Sequence, residues 1–356
     1  MNQPSAFLAG LLDAAGPSGF EVDAARLWRA EAETFADSVT TDVSGNTIAT
    51  VNPDGRPRIM LAGHIDEIGL QVTHIDEDGF LYIAGIGGWD PQVLVGQRVK
   101  ILGSPGGVVG VVGKKAIHLL KVAERKSASQ IDQLWVDVGV GSRAEATELG
   151  LRVGDAMVID AAMVRLAGDR IASRAIDNRI GAYVVLEALR LLSDLSPTAS
   201  AVAVATVQEE IGGGSGGGAR SSAFGLEPDA ALVVDVTFST DVPDIEKKQL
   251  GEHNLGGGPV LSRGSAAHPV IFDLLVEVAE AEDIAHTIQA SPRSTRTDAD
   301  SIYLTRSGVP TGLVSVPNRY MHSPNEIVSL TDLESAARLL AAFVMSLDED
   351  TDFTPR

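Results

Sequence analysis

Seven titratable side chains have types and positions that suit metal chemistry. They are His64, Asp66, Asp177, Glu209, Glu210, Asp235 and His322. Six of them stand at or near the end of an apolar run, where open α/β sheets place their ligand sites, and Asp177 precedes a helical segment. Imidazole and carboxylate ligands suit zinc, cobalt or manganese, and the chain has no cysteine to offer a softer ligand. The pattern therefore favours a site for divalent metal ions.

Charge indicates more than one ion at such a site. Carboxylates crowded at one rim repel each other and take up protons, and two dications would neutralise most of that charge. Asp66 lies two residues after His64, on the same side of an extended strand, where it can accept the second ring N–H of a metal-bound histidine. Of Glu209 and Glu210, which diverge at a strand end, one could bind metal while the other takes a proton from water. Each residue alone is more commonly an ordinary solvated charge or histidine.

The glycine run that follows Glu210 supports two rival readings. Gly212–Gly217 fits the G-x-G-x-x-G pattern of dinucleotide sites, and Asp235 stands where a ribose-binding acid would lie. Gly213–Gly217 also fits the G-x-S-x-G pattern of serine hydrolases. A run so rich in glycine matches many patterns by chance, and Glu209 and Glu210 would repel a pyrophosphate. A dinucleotide-binding oxidoreductase stays the alternative from another class.

The elements that must position these residues change character along the chain. Residues 70–165 are short β-like runs separated by glycine, which is typical of a small barrel or sandwich. From about residue 170 strands alternate with helices, which indicates a largely parallel sheet. We therefore predict an α/β fold with a mixed, largely parallel sheet flanked by helices and an inserted small β-barrel. Residues 1–69 and 166–356 would form the catalytic domain, and 70–165 the insert.

Composition narrows the function further. The chain has 356 residues, and its net charge of −20 disfavours nucleic-acid binding because phosphates would be repelled. The same charge argues mildly against acidic substrates, although the local field matters more. No secretory signal and no apolar run long enough to span a membrane is evident. A cytoplasmic protein without a membrane or nucleic-acid partner is the expectation.

Several separate motifs, in the right order, resemble the M42 metallo-aminopeptidases, which include the tetrahedral, glutamyl and deblocking aminopeptidases. The segments are Ala62–Gly69, Ala175–Arg179, Gln208–Gly212, Asp235 and His322–Glu326, with Gly87–Arg98 and Glu148–Asp155 in the insert. The resemblance runs through nearly the whole chain. One departure is that the stretch 212–219 is a few glycines longer than the family usually has, which leaves the pocket shape open.

The resemblance implies a co-catalytic pair of divalent metal ions. Zinc is the expected ion, and cobalt and manganese are the alternatives. Carried over by motif, His64 and Asp235 would hold one ion and Glu210 and His322 the other. Asp177 would bridge the two.

The resemblance also implies the remaining roles. Glu209 would be the general base and Asp66 the orienting acid, and the peptide bond between Asp177 and Asn178 would be cis. The implied activity is an aminopeptidase acting on peptides with a free N-terminus. The insert would be a dimerisation domain, with dimers assembling into a homo-dodecamer. A related di-metal carboxypeptidase or deacylase is the alternative among hydrolases.

Overall fold

The computed structural model describes residues 3–104, 106–122, 124–212, 217–264 and 266–356. The helices in these ranges are α1 (Ala6–Asp13), α2 (Val22–Ala32), α3 (Arg143–Glu148), α4 (Ile176–Leu195), α5 (Glu209–Gly212), α6 (Gly217–Leu226), α7 (Lys247–Leu250), α8 (Pro269–Ala281), α9 (Ala299–Ile302) and α10 (Leu330–Met345). Within the described ranges, none of these helices has the length and apolar character needed to cross a membrane.

The described ranges contain seventeen β-strands. The first nine are β1 (Ser38–Thr41), β2 (Thr47–Val51), β3 (Arg58–His64), β4 (Gly69–Ile75), β5 (Leu81–Ile86), β6 (Arg98–Ile101), β7 (Val108–Gly113), β8 (Trp135–Asp137) and β9 (Ala156–Ile159). The others are β10 (Val164–Arg165), β11 (Arg170–Ser173), β12 (Ser200–Thr206), β13 (Ala230–Phe238), β14 (Val260–Arg263), β15 (Thr287–Ala290), β16 (Thr311–Asn318) and β17 (Glu326–Ser329).

The larger sheet has the strand order β1-β2-β12-β3-β13-β16-β14-β15. Its four central strands, β12, β3, β13 and β16, run parallel, whereas β2 and β14 pair antiparallel to their inner neighbours. Every residue of β12 is buried, as a central strand covered by helices on both faces requires. One apolar core contains residues of α4, α8 and α10, and a second contains residues of α6 and α9 on the opposite face.

The strands β4 to β9 close into an antiparallel barrel with the order β4-β5-β8-β7-β6-β9. The barrel has a core of its own, built from inward residues such as Leu70, Leu81 and Val99. It leaves the larger sheet just after β3, so it begins beside the carboxyl end of a central strand. The predicted fold class, a largely parallel sheet with an inserted barrel, is confirmed.

Several peripheral strands were not predicted from the sequence. The two outer strands at each side of the larger sheet, β1, β2, β14 and β15, are short. A small sheet with the order β10-β11-β17 joins segments more than 150 residues apart. Its strand β11 pairs with β17, so that Ser173 lies opposite Glu326. This small sheet holds the segment before α4 against the segment after His322.

Candidate active site

The sequence-predicted residues meet at the carboxyl ends of the central parallel strands. His64 is the last residue of β3, and Thr206, the last residue of β12, lies beside it in register. Asp235 lies within β13, next to β16, after which the chain turns to His322. Parallel strands place their carboxyl ends at one edge, and this edge is where open α/β sheets hold ligands.

Two groups of side chains could each hold a metal ion. The first group is His64, Asp177 and Asp235, and the second is Asp177, Glu210 and His322. Within each group, ligand atoms lie within 4.8 Å of one another. Asp177 belongs to both groups, so the two sites are adjacent.

The two oxygens of Asp177 face different histidines. Oδ1 lies 3.3 Å from Nε2 of His64, and Oδ2 lies 3.3 Å from Nε2 of His322. Nε2 of His322 is also 3.3 Å from Oε2 of Glu210. The peptide bond between Asp177 and Asn178 is cis, as the family resemblance implies. Asp177 is thus shared by the two groups through separate atoms.

Each histidine turns its other ring nitrogen toward a fixed partner. Nδ1 of His64 lies 3.3 Å from Oδ1 of Asp66. Nδ1 of His322 lies 2.8 Å from the carbonyl oxygen of Gly88, in the loop after β5 of the barrel. Acceptors at both Nδ1 atoms hold the proton there and leave Nε2 free as a ligand atom.

Asp66 receives donors from three further directions. The hydroxyl of Ser18 donates to its Oδ2, as does the backbone N–H of Glu210 at 3.1 Å. The N–H of Glu209 donates to Oδ1 at 3.2 Å. Burial alone would raise the pKa of Asp66, but the bonds from His64 and Ser18 lower it below its usual value. Sequence reasoning missed Ser18, although it lies in the Gly-Pro-Ser-Gly turn at 16–19.

Glu326 was also missed as a site residue. It is buried, and its Oε2 accepts the backbone N–H of Asp177 at 2.7 Å while its Oε1 accepts that of His322 at 2.9 Å. One carboxylate therefore holds the backbone of two candidate ligands. The signal was available, because Glu326 closes the motif that begins at His322.

The adjacent glutamates diverge, as expected from the sequence, but they lie in a helix and not at the end of a strand. They begin the short helix α5, three residues beyond β12. Glu209 points its Oε2 to within 3.8 Å of Nε2 of His64, whereas Glu210 faces His322. The helical turn, rather than strand alternation, sends the two side chains to different groups.

Burial among like charges shifts the pKa values of these carboxylates upward. Desolvation, with Asp235 and Asp298 nearby, raises the pKa of Glu209 to about 10. Desolvation also raises the pKa of Asp235 well above its usual value, and that of Glu210, where Asp177 adds repulsion. Without cations, protons must take up the negative charge of this cluster.

The histidines shift in the same sense. Burial would lower the pKa of His322, but Asp177 and Glu210 more than offset it and raise the pKa to about 11. Burial is likewise outweighed at His64, where Asp177 and Asp66 raise the pKa. Burial would raise the pKa of Asp177, yet its hydrogen bonds to the two histidines lower it. The buried carboxylates therefore favour positive charge at the centre of the cluster.

The donor set fits divalent cations. Oε1 of Glu210 is buried and has no hydrogen-bond partner among the described residues. An unpaired buried carboxylate oxygen is costly unless a cation or another donor meets it. Imidazole nitrogen and carboxylate oxygen are ligands that zinc, cobalt and manganese accept.

A cavity of about 670 Å³ opens in front of both groups. Apart from the cluster itself, its walls include the end of β13, Leu313 and Ser315 in β16, and the loop 291–297 after β15. The rival readings of the glycine run cannot be placed here, because 213–216 lies outside the described residues.

Known proteins are similar to this chain in sequence and in architecture. The sequence pattern of the M42 glutamyl aminopeptidase family matches residues 45–339. A lysyl aminopeptidase of Pyrococcus furiosus is 38% identical over 321 residues, which cover 90% of each chain.

Solved structures agree with the sequence relatives. The TET aminopeptidase of a marine sediment archaeon of the Thaumarchaeota is 34% identical, with a TM-score of 0.90 over 96% of each chain. The TET1 peptidase of Pyrococcus horikoshii is 30% identical, with a TM-score of 0.84 over 96% of this chain and 99% of the other. With a family match over most of its length and these relatives along nearly all of it, the chain belongs to the M42 family of aminopeptidases.

Proposed function

We propose that this protein is a metal-dependent aminopeptidase that uses two divalent ions to release N-terminal residues from peptides. The observation that carries the proposal is Asp177, whose two oxygens each face a different histidine, His64 and His322. Such an arrangement suits a carboxylate that bridges two ions. Zinc is the ion we propose, and cobalt or manganese would suit the same ligands.

The ligands divide between the two ions. His64 and Asp235 would hold one ion, Glu210 and His322 the other, and Asp177 both. When bound, the ions would lower the pKa of a water molecule and polarise the scissile carbonyl.

The chain's own residues would then move the proton and hold the geometry. Glu209, beside the first group, would accept the proton of the attacking water at Oε2 and return it to the leaving amine. Asp66 would hold His64 through Nδ1 and keep its Nε2 directed at the ion. Ser18 and the N–H groups of Glu209 and Glu210 support this arrangement by donating to Asp66.

The proposal is tested first with a rate panel of aminoacyl-anilides, with an N-acetylated control, after chelation and after metal is added back. We expect cleavage of free-amine substrates only, restored by zinc, cobalt or manganese. If no substrate is cleaved under any metal, the aminopeptidase proposal is wrong, and a deacylase or carboxypeptidase becomes the better hypothesis. Tight NAD(H) binding without metal would favour the dinucleotide alternative.

The role of Glu209 has its own test. Glu209→Gln should lower kcat by roughly 10²- to 10⁴-fold, the usual contribution of a general acid–base. Metal content by elemental analysis and the melting temperature should stay near those of the parent. Near-normal turnover of this variant would overturn the assignment.

We further propose that the insert, residues 70–165, is a dimerisation domain and that the protein forms a homo-oligomer, up to a dodecamer. The TET1 peptidase of Pyrococcus horikoshii can assemble into a tetrahedron or a large octahedral shell, which supports this idea. A dimer and a dodecamer differ sixfold in mass, so light scattering separates them. The cytoplasmic location stays a prediction from sequence.

A further inference from the structure

Glu326 lies behind the candidate metal centre and belongs to neither group of candidate ligands. The residue is buried, with 2% of its surface exposed. Its Oε2 accepts the backbone N–H of Asp177 at 2.7 Å, and its Oε1 accepts that of His322 at 2.9 Å. Asp177 and His322 are two of the three members of the second group. Of the first group, only Asp177 has such a contact among the described residues.

The carboxylate of Glu326 is not part of an ion pair. Glu67, another buried carboxylate, pairs with Arg174 and Arg179. Glu326 has no cation within 4.0 Å among the described residues, although a buried carboxylate costs free energy unless donors meet it. Its two short hydrogen bonds come from the backbone of candidate ligands, and the side-chain amide of Asn318 lies 3.5 Å from Oε2. The contacts of this carboxylate are therefore directed at the metal centre.

The backbone that carries these two ligands needs support. His322 has a φ of +58°, and so has Ala175, two residues before Asp177. Left-handed conformations are costly for a residue with a side chain, and they persist where neighbouring contacts hold them. Strand β17 begins at Glu326 and pairs with β11, just before the segment of Asp177. Glu326 therefore lies between the two segments and holds both.

The first group has supports of its own. His64 and Asp235 lie on β3 and β13, which are neighbouring central strands of the larger sheet. The side-chain amide of Asn178 donates to the carbonyl of Val234 at 2.8 Å. Because Asn178 follows Asp177 and Val234 precedes Asp235, this bond ties the shared ligand to the first group. That connection does not involve the carboxylate of β17.

We propose that Glu326 is a positioning residue for the second group, so that without its carboxylate the ion bound there is weakened while the ion at the first group is retained. The inference rests on the proposed two-ion function and deepens it, because it assigns a residue outside the ligand set to one ion of the pair. Partners that orient metal ligands commonly change metal affinity by about 10- to 100-fold. We expect an effect of that size at one ion.

Glu326→Gln tests the proposal with almost no change in shape. The amide offers one acceptor oxygen in place of two, so one of the two backbone N–H groups loses its partner. Metal-free protein is titrated with cobalt, and binding is followed by calorimetry and by the visible absorption of the bound ion. The parent should bind two ions per chain. In the variant the dissociation constant of one ion should rise by roughly 10- to 100-fold, and that of the other should change by less than about threefold.

Asp332→Asn is the matched control. Asp332, in the first turn of α10, is also a buried carboxylate that accepts two backbone N–H groups, those of Gly256 and Gly258, each at 2.8 Å. It belongs to neither candidate group and is not part of the described cavity lining. Its replacement should leave the cobalt affinity of both ions at parental values. A similar loss of affinity in the two variants would reveal a general structural effect and would overturn the proposal.

Double variants identify the ion that depends on Glu326. His322→Ala removes a ligand of the second group, and Asp235→Ala removes a ligand of the first. Added to His322→Ala, Glu326→Gln should change cobalt binding little, because the same ion is already weakened. Added to Asp235→Ala, it should leave no tightly bound cobalt. The opposite pattern would assign Glu326 to the first group and contradict the inference.

Metal concentration separates positioning from damage to the fold. Hydrolysis of Leu-p-nitroanilide by Glu326→Gln should require cobalt at a concentration higher by the same factor, and should then reach the parental kcat within about threefold. A kcat that saturating cobalt does not restore would refute a positioning role. Glu326→Asp is the second variant, since it keeps the charge, is one methylene shorter, and should weaken the same ion. Parental cobalt affinity in both variants would also refute the proposal.

Failure of this inference is distinguishable from failure of the proposed function. If the parent binds two cobalt ions and hydrolyses Leu-p-nitroanilide, and Glu326→Gln binds both ions equally well, the role of Glu326 alone is wrong. If the parent binds fewer than two ions, the two-ion function and this inference are both wrong. If the parent binds two ions and cleaves no free-amine substrate, the aminopeptidase is refuted, and the cobalt titration still decides the role of Glu326.

Discussion

At the scale of single residues, Asp66 connects three parts of the candidate site. It contacts Nδ1 of His64, accepts the hydroxyl of Ser18, and receives two backbone N–H groups from α5. Asp66 thereby ties the end of β3 to the residue pair that contains the proposed base. Substitution of a residue that hydrogen-bonds to a metal ligand and orients it commonly lowers metal affinity or activity by about 10- to 100-fold.

Ser18→Ala removes one of these donors without changing any proposed ligand. We expect kcat/KM to fall roughly tenfold, because Asp66 loses a bond that fixes its position. Metal content should be unchanged, and Ser18→Thr, which keeps the hydroxyl, should restore part of the activity. The matched control is Ser222→Ala, a buried serine whose hydroxyl donates within α6. Equal rates for the two alanine variants would contradict a positioning role for Ser18.

The charges close to the cavity bear on substrate choice differently from the net charge of the whole chain. A net charge of −20 argues mildly against acidic substrates. Exposed charges more than about 8 Å apart are largely screened at physiological salt. Charged groups that line the cavity, Arg293 and Arg296 among them, therefore lie closer to a bound substrate than the distant acids of the surface.

At the scale of elements, the barrel reaches into the candidate site. The loop after β5 places the carbonyl of Gly88 2.8 Å from Nδ1 of His322, which is a proposed ligand on a segment of the larger sheet. The next residue, Trp89, donates its indole N–H to the carbonyl of Gly69 at 2.7 Å and packs on the barrel core. The barrel therefore contacts the candidate active site directly, in addition to its proposed role in assembly.

Trp89→Phe keeps the aromatic packing and removes the hydrogen bond that anchors this loop. We expect affinity for the ion at His322 to fall by up to about tenfold, since an orienting partner is loosened. Competition with a chromophoric chelator measures this. The matched control is Trp135→Phe in β8, whose indole N–H donates no hydrogen bond among the described residues. If both variants bind metal like the parent, the loop does not support His322.

A buried ion network holds α1 and α4 to the end of β3. The carboxylate of Glu67 accepts from Arg174 and from Arg179, the latter at 2.8 Å. Arg179 is fully buried and also donates to the carbonyls of Leu11 and Ile65. Burial lowers the pKa of Arg179 to about 10, although Glu67 opposes the shift.

Glu67→Ala would leave two buried guanidinium groups without their carboxylate. We expect the free energy of unfolding to fall by about 3–5 kcal/mol, measured by urea denaturation of metal-loaded protein. The comparison is Glu31→Ala, which breaks a half-exposed pair with Arg190 at 2.6 Å and should cost about 0–1 kcal/mol. Similar losses in the two variants would show that the buried network contributes little.

At the scale of the whole molecule, the proposed ions connect stability with activity. The carboxylates around Asp177 are buried, and the directions of their pKa shifts show that they crowd one another. A ligand that binds the folded chain alone raises its stability by mass action. The same ions would also relieve the repulsion.

Chelation should therefore lower the melting temperature by on the order of 5 °C as well as abolish hydrolysis. Differential scanning calorimetry before and after metal removal measures the shift. Chelator already saturated with zinc serves as the control, and added zinc should restore both properties. A melting temperature that does not change when the metal is lost would argue against two ions in this cluster.

The amino-acid sequence by itself determined the fold class and named the seven candidate side chains. Hydrophobic periodicity separates the barrel segments from the alternating strands and helices, and the order of strands places polar residues at one edge of a parallel sheet. Residue type then predicts a site for hard or borderline metal ions. These features are local in sequence, so they can be read without coordinates.

Only the tertiary structure decided how those side chains face one another. Gly88 meets His322, and Ser18 meets Asp66, across 234 and 48 residues of chain. No periodicity encodes such contacts, because they depend on how the barrel and α1 pack against the sheet. The turn of α5 separates Glu209 from Glu210, and the loop 291–297 brings Arg293 and Arg296 to the cavity, through packing that no local pattern specifies.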